Sequence, residues 1–251
     1  MHRGIARLIV FGAVGALVAG AGCLANGGDE GMLVLRNIVP MATTTGCTYN
    51  STAAEFGLAQ GSLSVTAPTG FQLVGYHVIA QLQSRITADT GQESQRTILL
   101  RGANIDIAFP GSPLFSAAEL SSLASSGLTH FMAPFSGFLL PNGSLADAPF
   151  ELIPADLAAA VGAKPNFTGV QALATFQVVG ALGGGDVTSQ KFRYPVAFVP
   201  EKYIVDNGAC SALSSSFKPR TGDLCNLGQD GATDCCTDQG HLVCPAVGTG
   251  G

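Results

Sequence analysis

Apolar and polar residues alternate at every second position through much of the chain between residues 32 and 200. This spacing is typical of β-strands that bury one face. It is clearest after residue 170, where one phase contains Val170, Ala172, Ala174, Phe176 and Val178. The pattern predicts about seven strands, over residues 33–39, 62–66, 71–84, 97–109, 130–138, 170–179 and 192–198.

Glycines mark two features of this pattern. A run of three glycines at residues 183–185 separates the strand that begins at Val170 from the one that begins at Phe192, which predicts a β-hairpin with a glycine-rich turn. The alternation changes phase at Gly102, and a glycine at such a break predicts a β-bulge. Residues 71–84 carry apolar side chains in both phases, so we expect that strand to be partly covered on both sides.

Two short segments have a helical pattern. They cover residues 116–125 and 154–161, and the second has Pro154 at a first-turn position. Each lies alone between strands, so we expect these helices to cover the open ends of a sandwich. The predicted fold is therefore all-β: an antiparallel β-sandwich of about seven strands with one or two short helices in its connections.

A small disulfide-rich C-terminal appendage is predicted from a change in composition after Pro200. The apolar periodicity stops there, and residues 206–244 hold five of the seven cysteines among Gly, Asp and Ser. So short a segment buries too little apolar surface to fold without cross-links.

The N-terminus has the three parts of an export signal. Arg3 and Arg7 form a basic start, residues 8–18 are apolar, and small residues at 19–22 precede Cys23. The apolar run is too short for a bilayer-spanning helix, which needs about 20 residues. The small residues before a cysteine resemble the lipobox of bacterial lipoproteins, although Gly20 stands where that family prefers Leu.

The lipobox resemblance implies lipidation of Cys23, with cleavage after residue 22 and a covalent diacylglycerol on the cysteine sulfur. The alternative is an ordinary signal peptide cut near Ala21, which leaves Cys23 as a plain cysteine. Leu24, rather than Asp, follows Cys23. By resemblance to the sorting rule of Gram-negative lipoproteins, this residue implies a lipid anchor in the cell outer membrane, on its periplasmic or surface face.

These boundaries divide the chain into four parts. We expect a signal peptide at residues 1–22, a lipidated cysteine and flexible tether at 23–31, a β-sandwich body at 32–205 and the Cys-rich appendage at 206–251. The tether is polar and rich in glycine, and such a segment spans roughly 15 Å.

Cysteine parity supports the lipid anchor. Without Cys23 an even set remains, which suits three disulfides in an oxidising compartment. This set comprises Cys47, Cys210, Cys225, Cys235, Cys236 and Cys244. The sequence does not choose among the many pairings, but a vicinal ring is strained, so the two neighbouring cysteines are each expected to bond elsewhere. Our preferred pairing joins Cys47 to Cys210 and ties the last four cysteines together.

The signal, the alternating body and the motif Gln-Asp-Gly-x-x-Asp-Cys-Cys at residues 229–236 resemble uncharacterised cell-envelope lipoproteins of Gram-negative bacteria. The signal resemblance covers 23 residues and the motif lies in the appendage. Neither part of the resemblance implies any catalytic residue.

The appendage also holds acidic side chains of the kind that bind calcium. Asp230 and Asp234 lie in a segment similar to the Asp-rich calcium repeats of secreted proteins, but its acids do not recur at every second position. A solvated acidic loop between disulfides is the simpler interpretation. The last three cysteines with His241 also suggest zinc, yet paired cysteines in an exported chain favour disulfides.

No motif assigns a catalytic residue. No serine lies in a Gly-x-Ser-x-Gly elbow, and the P-loop and His-Glu-x-x-His patterns are absent from the sequence. His77 and His130 are the candidate bases of a hydrolase. Each lies in or at the start of a predicted strand, where a histidine on the sheet surface is the simpler interpretation.

Charge narrows the choice of partners. Lys and Arg total 12 against 17 Asp and Glu, for a net charge of −5, which argues against nucleic acid. We expect a lipid-anchored envelope protein with a structural or binding role rather than an enzyme. It would contact the membrane through its anchor and bind an envelope protein or a glycan. The alternatives are an extracytoplasmic hydrolase and a calcium-stabilised interaction module.

Overall fold

The computed structural model describes residues 30–43, 46–49, 57–67 and 71–245, so the predicted signal peptide and Cys23 lie outside the described residues. Within this part the chain is mostly β, with fifteen strands and two α-helices. The strands are β1 (Glu30–Ile38), β2 (Met41–Thr43), β3 (Gly46–Thr48), β4 (Gly57–Leu58), β5 (Gly61–Ser64), β6 (Tyr76–Ser84), β7 (Ile98–Ala108), β8 (His130–Leu139), β9 (Leu145–Ile153), β10 (Val170–Leu182), β11 (Gly185–Ser189), β12 (Phe192–Val199), β13 (Ile204–Ala209), β14 (Thr233–Asp238) and β15 (His241–Val243). The helices are α1 (Ala117–Ser125) and α2 (Ala155–Gly162).

Ten of these strands form the sheet of the body. Their order is β5-β12-β10-β11-β1-β6-β9, while β4 pairs with β1 and β7 joins β10 to β8. Strands β11 and β12 lie one after the other along the same edge of β10, because Val179 pairs with Thr188 and Phe176 pairs with Phe192. Followed through β7, the sheet runs β8-β7-β10-β11-β1-β6-β9. The two ends of this path, β8 and β9, also contact each other, so the sheet curves around an interior.

The interior of the curved sheet is one apolar core. Its largest fully buried side chains come from eight different strands, and they are Tyr76, Tyr194, Phe176, Phe198, Met32, Leu63, Leu82, Ile98, Ile105, Leu139, Leu152 and Ile153. Helix α2 adds Leu157 and Val161. Each large apolar side chain contributes about 1.5–3 kcal/mol when it is fully buried. The body is therefore stabilised by the whole interior rather than by any single contact.

The alternation located all seven predicted strands, which are β1, β5, β6, β7, β8, β10 and β12. The phase chosen after residue 170 is the buried one, since Ala172, Ala174, Phe176 and Val178 are at most 2% exposed. The predicted bulge at Gly102 is also present, because β7 shifts register against both of its neighbours at this point. Both predicted helices form as well.

The body differs from the predicted arrangement in strands and in pairing. Besides the short β2, β3 and β4, the prediction lacks β9, which contains Pro149, and β11, which occupies part of the expected glycine turn. Two neighbouring pairs, β1 with β11 and β5 with β12, are parallel, so a purely antiparallel sheet is wrong at these places. Strand β1 begins at Glu30, two residues inside the predicted tether, and β13 begins at Ile204 rather than at residue 206.

The body has two unlike ends. Helix α1 connects β7 to β8 and α2 connects β9 to β10, and both lie at what we call the helix end. The chain enters β1 at the opposite end, which we call the entry end. There Met32 pairs with Ser84 at the close of β6, and Ile98 at the start of β7 pairs with Leu139 at the close of β8.

Polar contacts hold α1 over the helix end. Ser116 and Glu119 form a capping box at its N-terminus. Lys164, which follows α2, lies 2.5 Å from the Glu119 carboxylate and 4.4 Å from the ring centroid of Phe115. The lysine and the capping hydrogen bonds lower the pKa of Glu119 from its usual value. The two helices are thereby joined to each other as well as to the sheet.

Gly61 tests how tightly the helix end is packed. A Cβ atom at this position would lie 2.3 Å from the Tyr76 hydroxyl, and Tyr76 is fully buried. We expect Gly61→Ala to lower the free energy of unfolding by about 1–3 kcal/mol, the usual cost of overpacking, measured by urea denaturation. Gly137→Ala is the matched control, because its Cβ would meet only Leu100 at 3.5 Å. Equal losses in the two variants would contradict the packing described here.

Candidate functional site

The appendage docks onto the helix end through residues 223–230. The amide of Ser64 donates to the carbonyl of Gly228, and the amide of Asp230 donates to the carbonyl of Ser62, at 2.9 and 2.8 Å. These bonds place the segment as a short additional strand beside β5. The appendage therefore completes the body sheet instead of hanging free from it.

The side chain of Gln229 extends this pairing to β6. Its Oε1 accepts from the His77 amide at 2.8 Å, and its Nε2 donates to the His77 carbonyl at 3.1 Å. The pairing of β1 with β6 reaches only to Ala80, so β1 does not supply these partners. Gln229 is 2% exposed, and its amide takes the place of a neighbouring strand. Buried peptide groups left without a partner would destabilise this edge.

A chain of buried hydrogen bonds runs from β1 to the docked segment. Asn37 Nδ2 donates to the Tyr194 hydroxyl at 3.1 Å, the two tyrosine hydroxyls are 3.0 Å apart, and the Tyr76 hydroxyl donates to Asp230 Oδ2 at 2.7 Å. Each tyrosine has one hydroxyl hydrogen. Because Tyr76 gives its hydrogen to Asp230, Tyr194 donates to Tyr76. All three donors are thus directed toward one carboxylate.

Burial controls the ionisation of that carboxylate. Desolvation raises the pKa of Asp230 to about 6, and the negative charge of Asp223 adds to the rise. The Ser62 amide, 2.8 Å from Oδ1, and the Tyr76 hydroxyl act in the opposite direction. Burial also raises the pKa of Tyr76, with a further contribution from Asp230. The carboxyl group of Asp230 therefore titrates near pH 6, where an unperturbed aspartate is already ionised.

Asp234 has a different environment in the appendage. Its carboxylate accepts from Arg220 at 2.6 Å through Nη2, at 3.0 Å through Nε and at 2.8 Å through the backbone amide. The guanidinium lowers the pKa of Asp234 well below its usual value. Arg220 and Asp234 therefore form a bidentate salt bridge that fixes the loop before β14.

The calcium candidates do not form a ligand set. Asp230 is engaged by Tyr76 and Ser62, and Asp234 by Arg220. Across residues 30–43, 46–49, 57–67 and 71–245, no group of three or more His, Cys, Asp or Glu side chains is arranged to hold a metal ion. The cysteines considered for zinc are bonded to other cysteines.

All six cysteines of the predicted set form disulfides, but the preferred pairing is wrong. The bonds are Cys47–Cys225, Cys210–Cys236 and Cys235–Cys244. The neighbours Cys235 and Cys236 each bond elsewhere, as predicted. Cys47 lies in the β2–β3 hairpin, and the docking of residues 223–230 brings Cys225 rather than Cys210 to it. The sequence alone does not reveal this docking, so the prediction paired Cys47 with Cys210 instead of Cys225.

A surface cavity of about 510 Å³ lies on the outer face of the body sheet. Three adjacent strands, β8, β7 and β10, supply its lining together with Lys191, which directly precedes β12. The lining side chains are His130, Met132, Asn104, Asp106, Thr175, Gln177 and Lys191, together with Phe131 and Phe176. His130 Nδ1 lies 2.5 Å from Asp106 Oδ1, and the two side chains are more than half exposed. The cavity therefore combines a histidine–carboxylate pair with amide, hydroxyl and ammonium groups.

Of the two histidine candidates, His130 lines the outer-face cavity. Asp106 orients its ring, and Thr175 is placed beside Asp106 by the pairing of β7 with β10. Within the described residues, however, no hydroxyl is hydrogen-bonded to His130. His77 is exposed and acts through its backbone, which holds Gln229. The arrangement suits hydrogen bonding to a ligand better than activation of a nucleophile.

The sequence did not predict that residues 223–230 dock onto the body. It does contain one signal of a buried polar contact. Tyr76 and Tyr194 fall in the apolar phase of their strands, and a buried tyrosine hydroxyl needs a partner. That pattern indicates a polar contact inside the core. Its partners, Asp230 and Asn37, are 154 and 157 residues away from the tyrosines they bind, so no local signal identifies them.

Asp230→Asn tests the effect of the buried carboxylate. Burial raises the pKa of Asp230 to about 6 from the 3.8 of an unperturbed aspartate. The stability this group contributes is fully present below pH 3.8 and is lost as the pH rises through about 6. We expect the wild type to lose up to about 3 kcal/mol relative to Asp230→Asn over this window.

The measurement is urea denaturation of both proteins from pH 4 to pH 8. Other carboxylates, including Asp234 with its lowered pKa, titrate in both proteins and cancel in the difference. A difference in unfolding free energy that stays constant with pH would show that Asp230 is not buried as described.

No helix in the described part of the chain is long and apolar enough to cross a membrane. No protein-family model matches the chain, and no curated protein or solved structure matches it.

Proposed function

We propose that this chain is a lipid-anchored cell-envelope protein of the Gram-negative type, in which a β-sandwich body serves a structural or binding role. The anchor is a diacylglycerol on the sulfur of Cys23, and the sorting residue Leu24 directs the protein to the outer membrane. The body and appendage lie outside the cytosol. The partner is an envelope glycan or protein rather than nucleic acid.

The observation that carries this proposal is the pairing of the cysteines. The chain has seven, and the six that follow Cys23 form three disulfides. Such bonds persist in oxidising compartments and are rare in the cytosol. Once these six are paired, one cysteine remains. It is Cys23, which stands at the end of the lipobox-like segment. Lipidation accounts for the odd cysteine and the export signal together.

The binding role is supported by the outer-face cavity. The side chains of Asn104, Thr175 and Lys191 line it, and none of these three side chains makes a hydrogen bond to another described residue, so their polar groups are open to a ligand. Amide, carboxylate and ammonium groups on a rigid sheet suit the hydroxyl-rich surface of a glycan, which needs several oriented hydrogen bonds.

A second candidate is an extracytoplasmic hydrolase, and the His130–Asp106 pair at 2.5 Å is the observation in its favour. Such an enzyme would use His130 as the base and Asp106 to orient it, in the manner of a Ser or Thr nucleophile system. It also requires a hydroxyl to move into reach of His130 when substrate binds.

Intact mass spectrometry of the natively purified protein under non-reducing conditions tests the anchor. We expect a chain that begins at Cys23, carries acyl mass on that residue and has six oxidised thiols. Cys23→Ser should remove the acyl mass. Cys47→Ser is the matched control, which should keep the acyl mass and free the thiol of Cys225. An unacylated wild-type chain would contradict the proposal.

The cavity is tested with soluble cell-wall glycan fragments and isothermal titration. Replacing both Asn104 and Lys191 with Ala removes two hydrogen-bonding groups, so we expect binding to weaken about tenfold. Arg193→Ala, on the same sheet face but outside the cavity lining, should leave affinity unchanged. Equal effects of these changes, or no binding by the wild type, would contradict a glycan site in this cavity.

A further inference from the structure

Four of the eleven large apolar side chains that are exposed in the described residues lie at the entry end. Phe138 and Leu99 are the most exposed large apolar residues in the described chain, at 63% and 59%, and they face each other across β8 and β7. Leu140 and Leu145 flank the connection to β9 and are 46% and 38% exposed. We call these four residues the entry-end patch.

The surroundings leave this patch open. Leu99 and Phe138 line a surface cavity of about 620 Å³ beside the turn between β10 and β11. That turn consists of Gly183 and Gly184, which have no side chains to cover the apolar pair. Arg101 at the border of the cavity is paired with Asp186 at 2.9 Å. The patch is therefore apolar and borders a cavity whose Arg101 is paired with a carboxylate.

The chain enters the body beside the patch. The carbonyl of Gly31 accepts from the Arg85 amide at 2.9 Å, and the Ile98 side chain lies 3.5 Å from where a Cβ of Gly31 would be. Ile98 directly precedes Leu99. Strand β1 therefore begins at the same end of the body that carries the patch.

Chain length limits which end of the body lies near the anchor. Only residues 24–29 separate Cys23 from β1, and fully extended this link spans at most about 25 Å. Strand β1 has 9 residues, which at about 3.3 Å per residue gives roughly 30 Å. An anchor at Cys23 therefore keeps the entry end within about 25 Å of the bilayer.

We propose that the entry-end patch is a lipid-contact surface, with its Phe and Leu side chains seated in the interfacial layer of the bilayer that holds the anchor. This inference rests on the lipid anchor proposed above. Apolar side chains that enter the boundary between headgroups and acyl chains are removed from water there. A single lipid anchor is strengthened by a second membrane contact, and the patch supplies one.

A second copy of the chain is a poorer fit to this surface. Stable protein interfaces use about 20–30 residues on each side, whereas the patch has four. A bilayer has no such requirement, because each apolar side chain partitions into it independently.

The chain contains no tryptophan, so single-tryptophan variants report on the patch. The natively lipidated variant Phe138→Trp is reconstituted in vesicles of phosphatidylethanolamine and phosphatidylglycerol, with and without bromine on the acyl chains. We expect a blue-shifted emission that bromine quenches by about half, because an interfacial side chain lies about 5–10 Å deep. Leu99→Trp, on the neighbouring strand, should behave in the same way and guards against a misfolded variant.

Phe71→Trp is the matched control. Phe71 is 43% exposed and precedes β6 at the helix end, so bromine should not quench it. Quenching of Phe71→Trp, or a blue shift of Phe138→Trp without bromine quenching, overturns the inference in favour of an inverted orientation or a protein partner.

Vesicle flotation separates the two proposals. A chain that floats while both patch tryptophans stay unquenched overturns the lipid-contact surface alone. A chain that does not float overturns the anchor, and the lipid-contact surface with it.

Discussion

Where β1 ends, the edge of β6 has peptide groups that no strand of the body pairs, and the appendage supplies their partners. Gln229 binds the backbone of His77 through its side-chain amide, while the backbone on either side of it pairs with β5. Asp230 then receives the chain of buried hydroxyl donors that ends at Tyr76. Removing this segment would leave several buried polar groups unsatisfied at once, and each such loss destabilises a protein by about 1–3 kcal/mol. The body and appendage are therefore one cooperative structure.

The disulfides reinforce this docking from both sides. Cys47–Cys225 closes a loop of 178 residues and ties the β2–β3 hairpin to the docked segment. Closing so long a loop removes much of the freedom of the unfolded chain. The other two disulfides close loops within the appendage, whose own core consists of Cys210 and Cys236 with Leu213, Phe217 and Val243. A core this small depends on its cross-links, which suits a chain that works in an oxidising environment.

The surface of the body therefore has three regions of different chemistry. The helix end is occupied by α1, α2 and the docked appendage. Polar ligand groups are found on the outer sheet face, around His130 and Asp106, and exposed apolar groups are found at the entry end, around Leu99 and Phe138. A protein held at its entry end would present the outer-face cavity to the side and the appendage away from the membrane.

Alternation by itself determined the strand-rich class, the buried phase of β10 and β12 and the bulge at Gly102, because the side-chain direction in a strand follows from spacing along the chain. The cysteine count, with Cys23 set aside, determined that the remaining six suit disulfides. Strand β9 kept the same phase in Ala146, Ala148, Phe150 and Leu152, but Pro149 masked it. The disulfide partners, the parallel pairs, the Gln229 contact and the position of the apolar patch were decided only by the tertiary structure. Each of these joins residues far apart in sequence, and their contact depends on how the whole sheet curves.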